Sequence, residues 1–194
     1  MSRSMSALLV SSQLLSPEDY LAWELLNEER HEYIAGVVHS MAGASAAHNA
    51  ISLNIYGTLY NHLRAKPCQP FSSDMKLRLN FGADTVFYYP DAMVVCDPGD
   101  DATYYRTRPV LIIEVLSPQT ARVDQREKFL AYRTIPSLEV YGLVDQSRCH
   151  VTVYRRATDW KPEILTDPSD LLTVPALDWS IPLRDLYERT PFAG

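Results

Sequence analysis

Pro109-Val110-Leu111-Ile112-Ile113-Glu114-Val115-Leu116-Ser117 is apolar and largely β-branched, with its one charged residue in the middle. A short run of this kind, followed by Pro118, reads as a strand buried on both faces. Glu114 then needs a partner. An unpaired buried charge costs several kcal/mol or more, so such a carboxyl is usually protonated, ion-paired or bound to a metal. The preceding run, Val86-Phe87-Tyr88-Tyr89-Pro90-Asp91-Ala92-Met93-Val94-Val95, also reads as a strand with a single acid at its centre, and the loop from Asp97 to Arg108 joins the two. If they pair as an antiparallel hairpin with Cys96 opposite Pro109, Asp91 faces Glu114. Directly opposed residues have Cβ atoms about 4.5–5.5 Å apart, where two carboxylates repel each other yet together can grip one hard divalent cation, Mg²⁺ or Mn²⁺. A slip of one residue would send the acids to opposite faces.

Upstream, Ser16-Pro17-Glu18-Asp19 gives a capping serine, a first-turn proline and two acids, and predicts a helix over 17–28. Glu32-Tyr33-Ile34-Ala35-Gly36-Val37-Val38-His39 has the form of a hairpin with glycine at its turn. From Ser45, the residues Ala47, Ile51, Ile55, Leu59 and Leu63 recur every four positions, which marks an amphipathic core helix ending before Pro67. Residues 71–80 alternate around Met75, Leu77 and Leu79, with Lys76 and Arg78 on the other face, as a half-buried strand does.

Downstream, Asp124 to Arg133 is helical in pattern and must stop near Pro136. The segments 138–144 and 150–154 then read as strands joined at 145–148. The tail, with Pro162, Pro168, Pro175 and Pro182, reads as irregular until a short amphipathic piece from Leu183 to Tyr187. Helices on the flanks of a sheet with antiparallel pairs make an α+β protein, and 194 residues without a linker or repeat predict one domain.

The composition, 46% hydrophobic and 22% charged, is ordinary for a folded domain. No apolar stretch approaches the roughly 20 residues that cross a bilayer, and Met1 to Gln13 lacks the pattern of a secretion signal, so a cytoplasmic protein with no membrane partner is expected. Cys68, Cys96 and Cys149 are odd in number and far apart, which predicts free buried thiols rather than a disulfide or zinc framework. A net charge of −6 argues against a broadly basic surface. It leaves room for a local basic cleft, for which Arg122, Arg126, Lys128, Arg133, Lys76 and Arg78 are candidates, although solvated helix faces give similar clusters. A glycine-rich phosphate loop and a Gly-x-Ser-x-Gly turn are both missing from the sequence, which disfavours nucleotide-driven work and serine hydrolysis.

Taken together, Pro90-Asp91, Ile113-Glu114-Val115-Leu116-Ser117-Pro118, Asp124, Lys128 and Tyr132 resemble the Uma-two family of restriction-endonuclease-like proteins in the PD-(D/E)XK nuclease superfamily. The resemblance runs from Arg30-His31-Glu32-Tyr33-Ile34-Ala35-Gly36, through Ser45 to His48, to Leu138-Glu139-Val140-Tyr141. It implies a restriction-endonuclease-like fold over 1–194, a central mixed β-sheet flanked by helices, and a Mg²⁺- or Mn²⁺-dependent endonuclease acting on DNA.

The resemblance also implies that Asp91 and Glu114 bind the metal. The superfamily's lysine two residues after the glutamate is replaced here by Leu116, and the resemblance points to Lys128 on the following helix as its substitute. It places Glu32 as a third acid near the metal and matches Asp74 to an acid before a strand. From the residues alone, Glu32 can equally be a solvated strand start, Asp74 a turn residue, His48 a partly buried histidine satisfied by a neighbour, and Asp124 a helix cap with Glu127. Asp124, Lys128 and Tyr132 share a helix face, where the first two can also be an ordinary surface ion pair. A homodimer would supply two symmetry-related sites for cutting both strands. The competing readings are a catalytically weak or inactive nuclease-fold protein that binds nucleic acid or a protein partner, and a hydrolase of small phosphate esters.

Overall fold

The computed structural model describes residues 14–41, 43–118 and 124–192. In chain order its elements are α1 (Pro17–Glu24), β1 (His31–Ile34), β2 (Val37–Ser40), α2 (Ala46–Leu63), β3 (Gln69–Ser72), β4 (Lys76–Phe81), β5 (Asp84–Tyr88), β6 (Ala92–Val95), β7 (Tyr105–Arg106) and β8 (Pro109–Leu116). A π-helical turn (Asp124–Lys128) then runs into α3 (Phe129–Tyr132), followed by β9 (Val140–Asp145), β10 (Val151–Arg155), β11 (Pro162–Leu165), β12 (Leu171–Val174), β13 (Trp179–Pro182) and α4 (Leu183–Leu186).

The larger sheet has the order β11-β10-β9-β8-β6-β3, and the smaller one β2-β1-β5-β4-β7. Within the larger sheet, β8 and β9 are parallel and the other pairs antiparallel. A parallel pair needs a crossover connection, and the segment holding the π turn and α3 supplies it.

Side chains alternate across a strand, so β8 divides its residues between two cores. Leu111, Ile113 and Val115 pack with Ile51, Ile55, Leu59 and Leu63 of α2 and with the β12–β13 hairpin. Ile112 and Leu116 pack with Tyr132 of α3 and with Leu77 and Tyr88 of the smaller sheet. Glu114 belongs to this second face. The serine caps behave as the sequence suggests: Ser16 Oγ accepts from the Asp19 amide and Ser45 Oγ from the His48 amide, each at 3.1 Å. Ala35 and Gly36, with φ of 48° and 98°, form the left-handed turn of the first hairpin, a conformation that glycine adopts without steric cost.

The expected strand over residues 86–95 divides into β5 and β6, which belong to different sheets. Tyr89-Pro90-Asp91 carries the chain across, and Pro90 lacks the N–H that a continuous central strand would use. The run 71–80 likewise divides at the turn around Asp74 into β3 and β4. Helix α1 stops at Glu24, short of residue 28, where Leu25 and Leu26 are exposed and have no core to cover. The tail is not irregular: β11 adds an edge to the larger sheet, and β12 and β13 close over α2. Their four-residue lengths gave little periodicity to read.

Cys68 and Cys96 form a disulfide, against the expectation of free thiols; Cys149 remains a half-buried thiol. The pairing of Gln69 with Val95 makes the two cysteines the next rung of the β3–β6 ladder. Closing a loop of 28 residues restricts the unfolded chain by about 3–4 kcal/mol. Cys96→Ser should therefore lower the urea-unfolding free energy by about 3 kcal/mol under oxidising conditions and remove any effect of added reductant. In a reducing compartment, such as the cytoplasm expected from the sequence, the pair is held as thiols and this increment is lost. Among the described residues, no helix is long and apolar enough to cross a membrane. The Met1 to Gln13 segment lies outside the described residues.

Candidate active site

The β6–β8 register pairs Ala92 with Ile113, Met93 with Ile112 and Val94 with Leu111. Continued by one residue, it sets Asp91 opposite Glu114 as expected. At the other end a bulge pairs Val95 with Pro109, so Cys96 is not opposite Pro109 and instead meets Cys68. Asp91 sits just before β6, with Oδ2 accepting the Val115 amide at 2.7 Å and lying 3.4 Å from His48 Nε2. The first turn of α2 thus brings His48 to the aspartate.

Glu114 is 3% exposed and accepts from the Tyr132 hydroxyl at 2.8 Å through Oε1. Lys128 is also buried. Its Nζ lies 2.9 Å from Glu32 Oε1, 3.2 Å from Asp124 Oδ1 and 3.4 Å from Glu114 Oε1, and 5.2 Å from the centre of the Tyr88 ring. The crossover after β8 folds the helical segment back over the strand, so a lysine fourteen residues on reaches the glutamate. Asp124 and Lys128 are a buried pair rather than an exposed one. Glu32 is nearly buried, which removes the solvated strand-start reading.

Three carboxylates surround one ammonium, and the charge does not balance. Burial holds the Glu114 carboxyl well above the usual carboxylate range; Lys128 opposes this, while Asp124, Asp91 and Glu32 add to it. Burial also disfavours the Lys128 ammonium and is its largest single influence. Glu114, Glu32 and Asp124 together outweigh it and hold the lysine charged. A proton taken up by the cluster, or another cation, would relieve the surplus negative charge. At His48, desolvation lowers the imidazole pKa, but Asp91 more than offsets it, so the net shift is upward.

Residues 17–184 match the profile of a protein family, Uma2, described as "Putative restriction endonuclease". The chain belongs to the Uma2 family. Two Synechocystis sp. proteins share sequence with this Uma2 chain. "Uncharacterized protein slr1290" is 35% identical over 92% of this chain and 94% of its own length, and "Uncharacterized protein sll1609" is 34% identical over 78% and 86%. The fold is restriction-endonuclease-like. It superposes with TM-score 0.69 on a crystal structure of a "putative nuclease belonging to DUF820" from Anabaena variabilis, at 20% identity over 88% of this chain and 96% of that one.

Of the residues singled out from the Uma2 sequence, Glu114, Lys128, Glu32, Asp124 and Tyr132 converge in one buried cluster, with Asp91 and His48 against its β8 side. Asp74 stands apart as an exposed turn residue paired with Arg30 at 2.9 Å. Among the described residues the basic candidates form no common cleft. Arg126 and Arg133 are exposed, Lys76 is buried beside Tyr89, Arg78 lies over Phe87 and Tyr105, and Arg122 falls outside the described residues.

Two tyrosines escaped the sequence reading. Tyr141 donates to the Asp124 carbonyl at 3.0 Å and so pins the start of the π turn. Tyr88 faces the lysine, and burial together with the Glu32 charge pushes its hydroxyl up to about 12. In sequence both are ordinary strand aromatics.

Proposed function

We propose that this chain hydrolyses DNA phosphodiester bonds as a divalent-metal-dependent endonuclease, with Asp91 and Glu114 as ligands of Mg²⁺ or Mn²⁺ and Lys128 as the fixed cation beside them. The buried surplus of negative charge around Lys128 carries this reading, because three carboxylates face one ammonium and an added cation removes the imbalance.

The donors suit such an ion. They are hard carboxylate oxygens, and within the described residues no hydrogen bond reaches Asp91 Oδ1 or Glu114 Oε2. Asp124 Oδ1 is buried beside Lys128 without a hydrogen bond. Among the described residues no group of three or more acidic, histidine or cysteine side chains forms a complete cage. Mg²⁺ commonly binds through one or two carboxylates and completes its shell with water and substrate phosphate. When bound, the ion supplies a Lewis acid that makes water nucleophilic near neutral pH and offsets the charge of a pentacovalent phosphate.

The chain's own residues do the rest. Glu32 and Asp124 hold the Lys128 ammonium within 3.4 Å of Glu114, where it can stabilise negative charge developing on a phosphate. Tyr132 donates to Glu114 Oε1 and fixes the carboxyl in place, leaving Oε2 as the proposed ligand atom. His48 is only partly buried, and Asp91 favours its protonated form, which can donate to a phosphate oxygen. A cleft of about 460 Å³ lined by Tyr60, Leu63, Lys66, Cys68 and Pro70 among others holds none of these groups, and we assign the chemistry to the charged cluster.

The test is incubation with supercoiled and linear DNA, with and without Mg²⁺ or Mn²⁺, beside an Asp91→Ala, Glu114→Ala double variant. Nicking or cutting that needs the metal and disappears in the variant is the expected result. Cutting that persists in the variant rejects the site. Metal-independent binding without cutting supports the alternative, an inactive nuclease-fold binder of nucleic acid. The proposal extends to a homodimer, which sedimentation of the protein with and without DNA measures.

A further inference from the structure

A second buried polar cluster lies across β1 from the candidate site. Neighbouring residues of a strand face opposite sides, so His31 points away from the side that carries Glu32. Glu24, at the end of α1, meets it there and is 6% exposed. Its Oε1 accepts from the His31 amide at 2.9 Å and from the Tyr89 hydroxyl at 2.7 Å, and its Oε2 lies 3.1 Å from His31 Nδ1. The Tyr20 hydroxyl donates to the His31 carbonyl, and Trp23 packs against the imidazole with ring centroids 4.8 Å apart.

Packing alone gives no reason for an acid at this position. The acid faces His31 at 3.1 Å, and its charge also favours the ammonium of buried Lys76. What the carboxylate does is tie two chain segments together. His31 immediately precedes Glu32, the nearest partner of Lys128. Tyr89 stands two residues before Asp91, where the chain leaves the smaller sheet for the larger. We infer that Glu24 is a positioning residue whose hydrogen bonds to His31 and Tyr89 set the placement of Glu32 and Asp91 at the metal site. The inference rests on the function proposed above.

The test reads Mn²⁺ affinity by electron paramagnetic resonance, at a temperature where every variant is folded. Glu24→Ala is expected to weaken Mn²⁺ binding about tenfold, as loss of a supporting hydrogen-bond partner does at metal sites. Glu24→Gln is expected to stay within about threefold of wild type, because its oxygen accepts the same two hydrogen bonds and its amide can donate to His31 Nδ1. Leu172→Ala, a core truncation beneath the β12–β13 hairpin, destabilises without touching either segment and is expected to leave Mn²⁺ affinity unchanged, which separates positioning from general loss of stability.

Affinity within twofold of wild type in Glu24→Ala overturns the inference and leaves the metal site standing. Wild-type protein that binds no Mn²⁺, or binds it equally well after Asp91→Ala and Glu114→Ala, overturns the metal site and this inference with it. If Glu24→Ala does not fold, Tyr89→Phe severs only the arm leading to Asp91. An affinity loss of at least about threefold then supports the inference, and no loss overturns it.

Discussion

Glu114→Gln should make the metal-free protein more stable while nearly abolishing cleavage. The buried Glu114 carboxyl binds its proton more tightly in the folded state than in the unfolded one. Its stabilising contribution is therefore fully present below the unfolded carboxylate pKa, about 4.3, and is lost as pH rises through the elevated folded value. Glutamine is neutral at every pH and keeps an oxygen for the Tyr132 hydroxyl. The variant should gain about 1–3 kcal/mol over wild type at about pH 8, each pKa unit being worth about 1.4 kcal/mol. The gain should vanish toward about pH 4. Urea titrations at several pH values, in chelator, measure it. The same substitution removes a proposed ligand, so cleavage should fall by about 10³-fold or more and the protein should no longer be stabilised by Mn²⁺. A variant less stable than wild type at alkaline pH would show that Glu114 is ionised and compensated without metal.

Lys128→Met should do the opposite to stability. Removing the ammonium leaves Glu32, Asp124 and Glu114 facing one another with no cation among them, and breaking a buried ion pair on one side costs about 3–5 kcal/mol. The loss should shrink as pH falls and the acids take up protons, and Mg²⁺ should recover part of it. Cleavage should drop about 10²–10³-fold at saturating Mg²⁺, the usual effect of removing one fixed charge aimed at a transition state. Activity that survives would mean that the leucine at position 116 has no helical replacement and that the chemistry runs without a lysine. Stabilisation by Glu114→Gln together with destabilisation by Lys128→Met would give the sign of the net charge in the cluster.

The parts of this site that were legible in sequence are those fixed by local pattern. An acid inside Leu111 to Leu116 demanded a partner, and the strand pairing at Ala92, Met93 and Val94 then set Asp91 across from Glu114. The four-residue spacing of Asp124, Lys128 and Tyr132 put them on one face of a turn that the crossover folds over β8. What escaped depends on contacts between distant segments. Val86 to Val95 reads as one strand because each half is equally apolar; only the neighbours of each half decide that they join different sheets. The Cys68–Cys96 bond was hidden for the same reason, since nothing local announces that β3 lies beside β6. Glu24 carried no signal in the sequence, because its partners His31 and Tyr89, the latter sixty-five residues away, meet it only in the fold.

The crossing at Tyr89-Pro90-Asp91 leaves the backbone no slack. Strand β5 ends at Tyr88 and β6 begins at Ala92, each held in its own ladder of hydrogen bonds. An extra residue between the exposed Thr103 and Tyr104 could bulge into solvent. One inserted between Tyr88 and Ala92 would displace Asp91 from its place opposite Glu114, so three consecutive residues set the distance between the two sheets' shares of the acid cluster.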